Sequence, residues 1–197
     1  EIDNQNDITI AFRNLIEPKE DTYPSTLKDT LTEVRDMYTV VSKDNGDTFT
    51  APKIIHKDNW QINGCPHTGP SLSSTNKNNA TTWYSGKEDN EGIFFKIENQ
   101  KEKFLVSKTG AHPQMVGANE KYYIVFEEYH EKDQKGYTKI VMQTWNKNEL
   151  LETKEISNPE TNNDHAVIKK INNQELLINW VNTDLKNARI QYRIITL

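Results

Sequence analysis

Ser42-Lys43-Asp44-Asn45-Gly46-Asp47-Thr48-Phe49 is the stretch that decides the fold. A β-rich run precedes it, Met37-Tyr38-Thr39-Val40-Val41, and another follows, from Phe49 to Ile55. Between them, Asp44-Asn45-Gly46-Asp47 is a hairpin turn signal. Asn and Gly tolerate positive φ, and an Asp carboxylate can accept backbone N–H groups inside the turn. The stretch predicts two antiparallel strands joined by a short connection.

Upstream, Ile8-Thr9-Ile10-Ala11-Phe12 alternates and is β-branched, which predicts a strand ending at Arg13-Asn14. Leu15 to Glu33, polar and with two prolines, reads as a long loop, and long loops in compact domains are often functional. Downstream, Asp58 to Gly69 reads as loop, and then the strand pattern restarts. Pro70–Ser73, Ala80–Tyr84, Gly92–Ile97 and Phe104–Val106 form one set of four. His112–Val116, Tyr122–Glu127, Lys139–Trp145 and Leu151–Ile156 form the next, and His165–Ile168, Leu176–Trp180 and Ala188–Ile195 begin another. No stretch has a convincing amphipathic-helix pattern. The repeat of roughly 45–50 residues is the spacing of four-stranded propeller blades. The expected architecture is therefore all-β: a β-propeller of antiparallel four-stranded blades over 1–57, 69–107, 111–157 and 164–197. The first blade lacks its opening strand and the last its outer strand. That pattern suits a portion of a longer protein, or a ring closed by an N-terminal segment.

The spacing Ser42-x-Asp44-x-Gly46-x-Thr48-Phe49 resembles the Asp-box, or BNR repeat, of sialidase-like β-propellers. In that family the box closes the turn between the third and fourth strands of a blade, its aromatic packs between strands, and it lies on the outer rim away from the ligand. The order Arg35-Asp36-Met37-Tyr38, box, Trp60, Asn63-Gly64-Cys65-Pro66-His67, Gly69-Pro70 is similar to a subgroup of exported bacterial BNR proteins of mostly undefined activity. The resemblance covers about residues 7–85. It implies a six-bladed propeller of which this chain holds about four blades. It also implies a periplasmic, cell-surface or secreted location, and a carbohydrate or glycoconjugate ligand.

Composition narrows the classes. The chain has 197 residues, 34% apolar and 27% charged, with a net charge of -5. No Lys/Arg stripe stands out, which argues against nucleic acid. No apolar run approaches membrane-spanning length. The single cysteine, Cys65, excludes an internal disulfide and leaves the compartment open. The abrupt start on Glu1-Ile2-Asp3 fits a leader removed or truncated. Abundant Asn, Lys, Ile and Glu suggest an AT-rich bacterial source.

Candidate chemistry gathers at two places. Three blade starts carry histidine: His67, His112 and His165. Equivalent positions in a repeat fold come together, so these imidazoles are expected around one rim. There they would bond a ligand, transfer protons, or bind metal with Cys65; the alternative is that they cap backbone groups where strands crowd the axis. No local spacing marks a metal site, and neither metal nor cofactor is expected. Glu127 and Glu128 could add a carboxylate to a pocket, or lie solvated. Trp60 could stack on a sugar; Trp83 and Trp180, at matching strand ends, read as packing between blades.

The second place is Arg13 with Arg35-Asp36. In sialidases an arginine triad clamps the substrate carboxylate, an Asp is acid/base, and a Tyr–Glu pair supplies the nucleophile. The resemblance places Arg13 where a site arginine can occur and makes Asp29 or Asp36 the acid; the alternative for Arg35-Asp36 is a salt-bridged strand start. The chain has four arginines, and neither triad nor nucleophile can be assembled, which argues against a working sialidase. Cys65 is expected as a small buried residue in a tight turn. The function read from sequence is binding or processing of a glycan at the channel face. The alternative is a non-catalytic interaction propeller of a cell-envelope assembly.

Overall fold

A computed structural model describes residues 1–3, 6–16, 33–62, 64–75, 78–183 and 188–197. They form four antiparallel sheets, with no helix among the described residues. The first sheet holds β1 (Ile8–Ile16), β2 (Val34–Ser42) and β3 (Lys53–His56) in chain order. The second is β4 (Ser71–Ser74), β5 (Asn79–Ser85), β6 (Gly92–Ile97) and β7 (Phe104–Ser107). The third is β8 (Gly110–Ala118), β9 (Lys121–Lys132), β10 (Lys135–Trp145) and β11 (Leu150–Glu155). The fourth holds β12 (Asn163–Lys170), β13 (Glu175–Asn182) and β14 (Arg189–Thr196). Asp29 and Asn63, both singled out in the sequence, lie outside the described residues.

The buried apolar side chains gather between neighbouring sheets, so the core is three layers rather than one. Met37 packs on Trp83 and Phe94 between the first and second sheets. Ile93, Phe95, Ile124, Phe126 and Trp145 fill the space between the second and third. Val125, Ile140, Ile156, Ile178 and Trp180 fill the space between the third and fourth. Each fully buried Ile or Phe stabilises by roughly 1.5–3 kcal/mol over its exposed state. Trp83 and Trp180 occupy matching second strands and are buried, as a packing role requires. Each indole N–H donates to a buried side-chain oxygen: Trp83 to Asp58 at 2.6 Å, Trp180 to Asn163 at 2.9 Å.

The first strands of successive sheets lie against one another, β4 against β8 and β8 against β12. Hydroxyls of β4 join the first pair. Met115 N–H donates to Ser71 Oγ and Gly117 N–H to Ser73 Oγ, each at 2.9 Å. Gly117 is required there because a Cβ would sit 2.3 Å from the Ser74 carbonyl oxygen.

The turn at Asp44–Asp47 is closed by side chains of its own stretch. Asn45 and Gly46 take φ of 59° and 98°. Gly46 N–H donates to Ser42 Oγ at 2.8 Å, and Ser42 Oγ–H to Asp44 Oδ1 at 2.7 Å. Asp44 also accepts from Thr48 N–H at 2.9 Å and Thr48 Oγ–H at 2.5 Å. These bonds, those of Thr48 foremost, hold the Asp44 carboxyl down at about 2. A lowered carboxyl pKa adds stability above the unfolded value near 3.8, and that stability is lost as pH falls toward about 2. Asp44→Asn is therefore expected to flatten the dependence of the denaturant midpoint on pH between about 4 and 2, measured by fluorescence-detected urea unfolding.

Phe49 departs from the expectation that it packs between strands: it is 42% exposed. Pairing of β2 with β3 runs only from Lys53 to His56, so Phe49 precedes the paired strand and has no facing sheet to bury it. Cys65 departs likewise, being exposed in the loop before β4 rather than buried.

Candidate functional site

The residues singled out from sequence fall into two clusters. One joins the first sheet to the second. Arg13, on β1, spends its guanidinium on main-chain carbonyls: Tyr84 O at 2.8 Å, Arg35 O at 3.2 Å, and Thr68 O at 3.3 Å from both Nε and a terminal nitrogen. Its plane lies 4.8 Å from the Trp60 ring centroid. Burial lowers the Arg13 pKa to about 10, against the opposing pull of Asp58 and Asp36. Arg13 thus braces three segments, with few donors left for a ligand carboxylate.

Asp36, on β2, is 1% exposed. Its carboxylate accepts Asn59 N–H at 2.9 Å and so pins the left-handed Asn59 turn, φ 53°. Burial, and then the neighbouring Asp58, raise its pKa above the usual carboxylate value, while main-chain N–H groups of Asn59, Trp60 and Asp58 oppose the rise. Arg35 pairs with Glu33 at 2.5 Å rather than with Asp36, the partner weighed from the sequence. Trp60 is 7% exposed, covered by Arg13 and by the edge of Tyr84 at 5.7 Å, and a Cβ on Gly86 would meet its ring at 2.7 Å. Little of that ring is open, so the expected sugar platform at Trp60 gives way to a packing role.

Sequence reasoning missed the centre of this cluster. Asp58, 4% exposed, accepts from Trp83 Nε1 at 2.6 Å and Lys103 Nζ at 2.5 Å, with His56 Nδ1 at 3.0 Å. The Lys103 ammonium also sits 3.4 Å from the Phe94 ring centroid. The partners lie 25 and 45 residues along the chain from Asp58, and no local motif announces them.

The second cluster is His112 and His165 with Glu127, and His67 shares their backbone conformation but no bond with them. His67, His112 and His165 all take left-handed backbone, with φ of 47°, 50° and 55°. His112 sits at a register break of β8 between Ala111 and Gln114, and His165 at the matching break of β12 between Asp164 and Val167. The three positions thus share a backbone conformation as well as a residue type. Bulges of this kind re-aim side chains and are common beside binding sites. Glu127, on β9 and 8% exposed, joins two of them: His112 Nδ1 meets Oε2 at 2.8 Å, and His165 N–H donates to Oε1 at 2.7 Å. Glu127 is therefore a buried, fixed acceptor rather than a solvated glutamate. His67 is exposed, and its neighbour Thr68 supplies the carbonyl that Arg13 holds. Among the described residues no group of three His, Cys, Asp or Glu could hold a metal ion.

At the far ends of the first strands, β4, β8 and β12 border a polar cleft of about 970 Å³, with Ser73, Ser74, Asn119 and Lys170 among its walls. No helix among the described residues is long and apolar enough to cross a membrane.

No family model and no curated protein matches the chain. Among solved structures, the chain is similar to a neuraminidase-like protein from A/bat/Guatemala/164/2009, at 10% identity and a TM-score of 0.50 over 87% of this chain. The match covers 47% of that structure, so the chain spans about half its length. The likeness is one of fold: an all-β arrangement of antiparallel sheets, consistent with a neuraminidase-like propeller.

Proposed function

We propose that this chain is a carbohydrate-binding protein of sialidase-like propeller type. It acts outside the cytoplasm of a bacterium and holds its ligand at the rim that carries His67, His112 and His165. The observation that carries this reading is the Glu127 carboxylate, buried and bonded to both His112 and His165 at matched left-handed bulges. The exposed imidazoles, one of them anchored on this buried carboxylate, offer a hydroxyl-rich ligand donors and acceptors, and a few polar groups of this kind set ligand orientation. Asp36 and Arg13 are left to hold the adjoining loop.

A glycan array followed by calorimetric titration of the best ligand tests the reading. His112→Ala and Glu127→Ala are each expected to weaken binding about tenfold, the equivalent of one lost hydrogen bond of about 1.4 kcal/mol. Absence of binding to every glycan class would overturn it.

One observation favours a second reading, a non-catalytic interaction module. Ile190, Tyr192 and Ile194 of β14 are 79%, 70% and 50% exposed. They lie on one face with their cross-strand partners Val181, Asn179 and Leu177. An exposed apolar face of this kind marks a protein contact. A chain that binds no glycan, and whose sedimentation changes on Tyr192→Glu, would support this reading over the first.

A further inference from the structure

We infer that His112 is a general base and that Glu127 is its positioning residue, which makes the rim a site of C–O bond hydrolysis in a carbohydrate conjugate. The inference rests on the carbohydrate reading for its substrate class, and on geometry for its chemistry.

An imidazole serves as a base when one ring nitrogen is anchored as a donor and the other presents its lone pair to the reacting hydroxyl. His112 has this arrangement. Nδ1 lies 2.8 Å from Glu127 Oε2, and a carboxylate there accepts a proton rather than donating one, so the proton belongs on Nδ1 and the lone pair on Nε2. The His112 side chain is 49% exposed, whereas that of Glu127 is 10% exposed, so the ring reaches solvent from a buried anchor. The anchor cannot swing away, because Oε1 is held by His165 N–H at 2.7 Å. The bulge at Ala111–Gln114 and the left-handed φ of His112 aim the ring out of the β8 ladder. Nearby carboxylates are otherwise engaged: Glu128 takes Ser107 Oγ at 3.2 Å and Lys139 at 3.7 Å. Together these features make a carboxylate–imidazole pair with one free nitrogen, the part of hydrolytic sites that activates a hydroxyl.

The step balances with water as the nucleophile. Water gives one proton to Nε2 as its oxygen bonds to the substrate carbon, and the C–O bond to the leaving oxygen breaks with its electron pair. The proton on Nε2 then passes to the leaving oxygen. Glu127 keeps its charge throughout and stabilises the transient imidazolium. The step is that of a sugar ester, where one imidazole serves both the incoming water and the leaving oxygen at an acyl carbon; at an anomeric carbon these lie on opposite faces and need two groups.

The full chain is assayed with an acetylated 4-nitrophenyl sugar, for release of acetate, and with 4-nitrophenyl glycosides, for release of nitrophenol. The inference expects turnover of the ester and none of the glycosides. It expects His112→Asn to lower kcat at least 100-fold, and Glu127→Gln to lower kcat about tenfold or more with KM within twofold. Glu160→Gln, at an exposed ion pair with Lys132, serves as the unaffected control. Nitrogen NMR of the wild type supplies a second readout, expected to show His112 protonated on Nδ1 and bare on Nε2, and to lose that preference in Glu127→Gln. A wild type that binds glycans but releases no acetate overturns the inference and leaves the binding reading standing. Failure to bind any glycan overturns both, and a proton found on Nε2 overturns the pair geometry alone.

Discussion

Asp58→Ala is expected to cost roughly 3–5 kcal/mol of folding stability, the range for removing one partner of a buried ion pair. The carboxylate is the shared acceptor of Lys103, Trp83 Nε1 and His56, and it is 4% exposed. Its loss strands an ammonium that is only 12% exposed, beside Phe94, and leaves an indole N–H without a partner. Neither group regains water without opening the contact between the first and second sheets. Asp58→Asn is expected to cost less than Asp58→Ala, since an amide oxygen still accepts from Trp83, but Lys103 remains unneutralised. Urea unfolding followed by tryptophan fluorescence measures both. A loss below about 1 kcal/mol in Asp58→Ala would show that solvent reaches Lys103 and that the network does not hold the sheets together.

Arg13→Met is the second large effect, expected to cost about 3 kcal/mol, because three carbonyls lose their donor and two buried carboxylates lose a neighbouring cation. Arg13 donates to Tyr84, Arg35 and Thr68 oxygens, and Asp36 and Asp58 both feel its charge. Arg13→Lys is expected to recover little. A single ammonium cannot span carbonyls from three segments as the planar fork does, and it stacks less well on Trp60. The same variants decide between bracing and ligand clamping. Bracing predicts a fall in the unfolding midpoint with glycan affinity within about twofold at low temperature, where the variant stays folded. A clamp on a ligand carboxylate predicts the reverse, an affinity loss of tenfold or more at nearly unchanged stability.

Strand positions were legible because half-buried strands alternate. Leu176, Ile178 and Trp180 point to one side and Leu177, Asn179 and Val181 to the other, and the structure buries the first set more deeply. The β9–β10 hairpin was read too short. Its outer part, Glu128 to Lys139, is charged and without apolar alternation, yet it pairs continuously around Asp133 and Gln134, whose φ values are 51° and 61°. Turn chemistry without glycine hid it. The equivalence of the positions of His67, His112 and His165 was legible from their repetition, although the shared left-handed backbone was not. The role of Arg13 was illegible, because its partners are carbonyls, which sequence does not distinguish. Asp58 was illegible for a related reason: a lone aspartate in a polar loop looks solvated until the fold brings Lys103 and Trp83 to it.

The serine hydroxyls of β4 have one more consequence. A sheet's outermost strand ordinarily shows a row of unpaired amides, ready to recruit a stranger's backbone and start cross-β growth. On β8 the amides of Met115 and Gly117 already donate to Ser71 and Ser73. The missing Cβ of Gly117 lets the two backbones close up until no third strand could slide between them. A pair of small polar side chains and one glycine thus protect this margin of the third sheet against aggregation, just downstream of Pro113, which has no amide to offer.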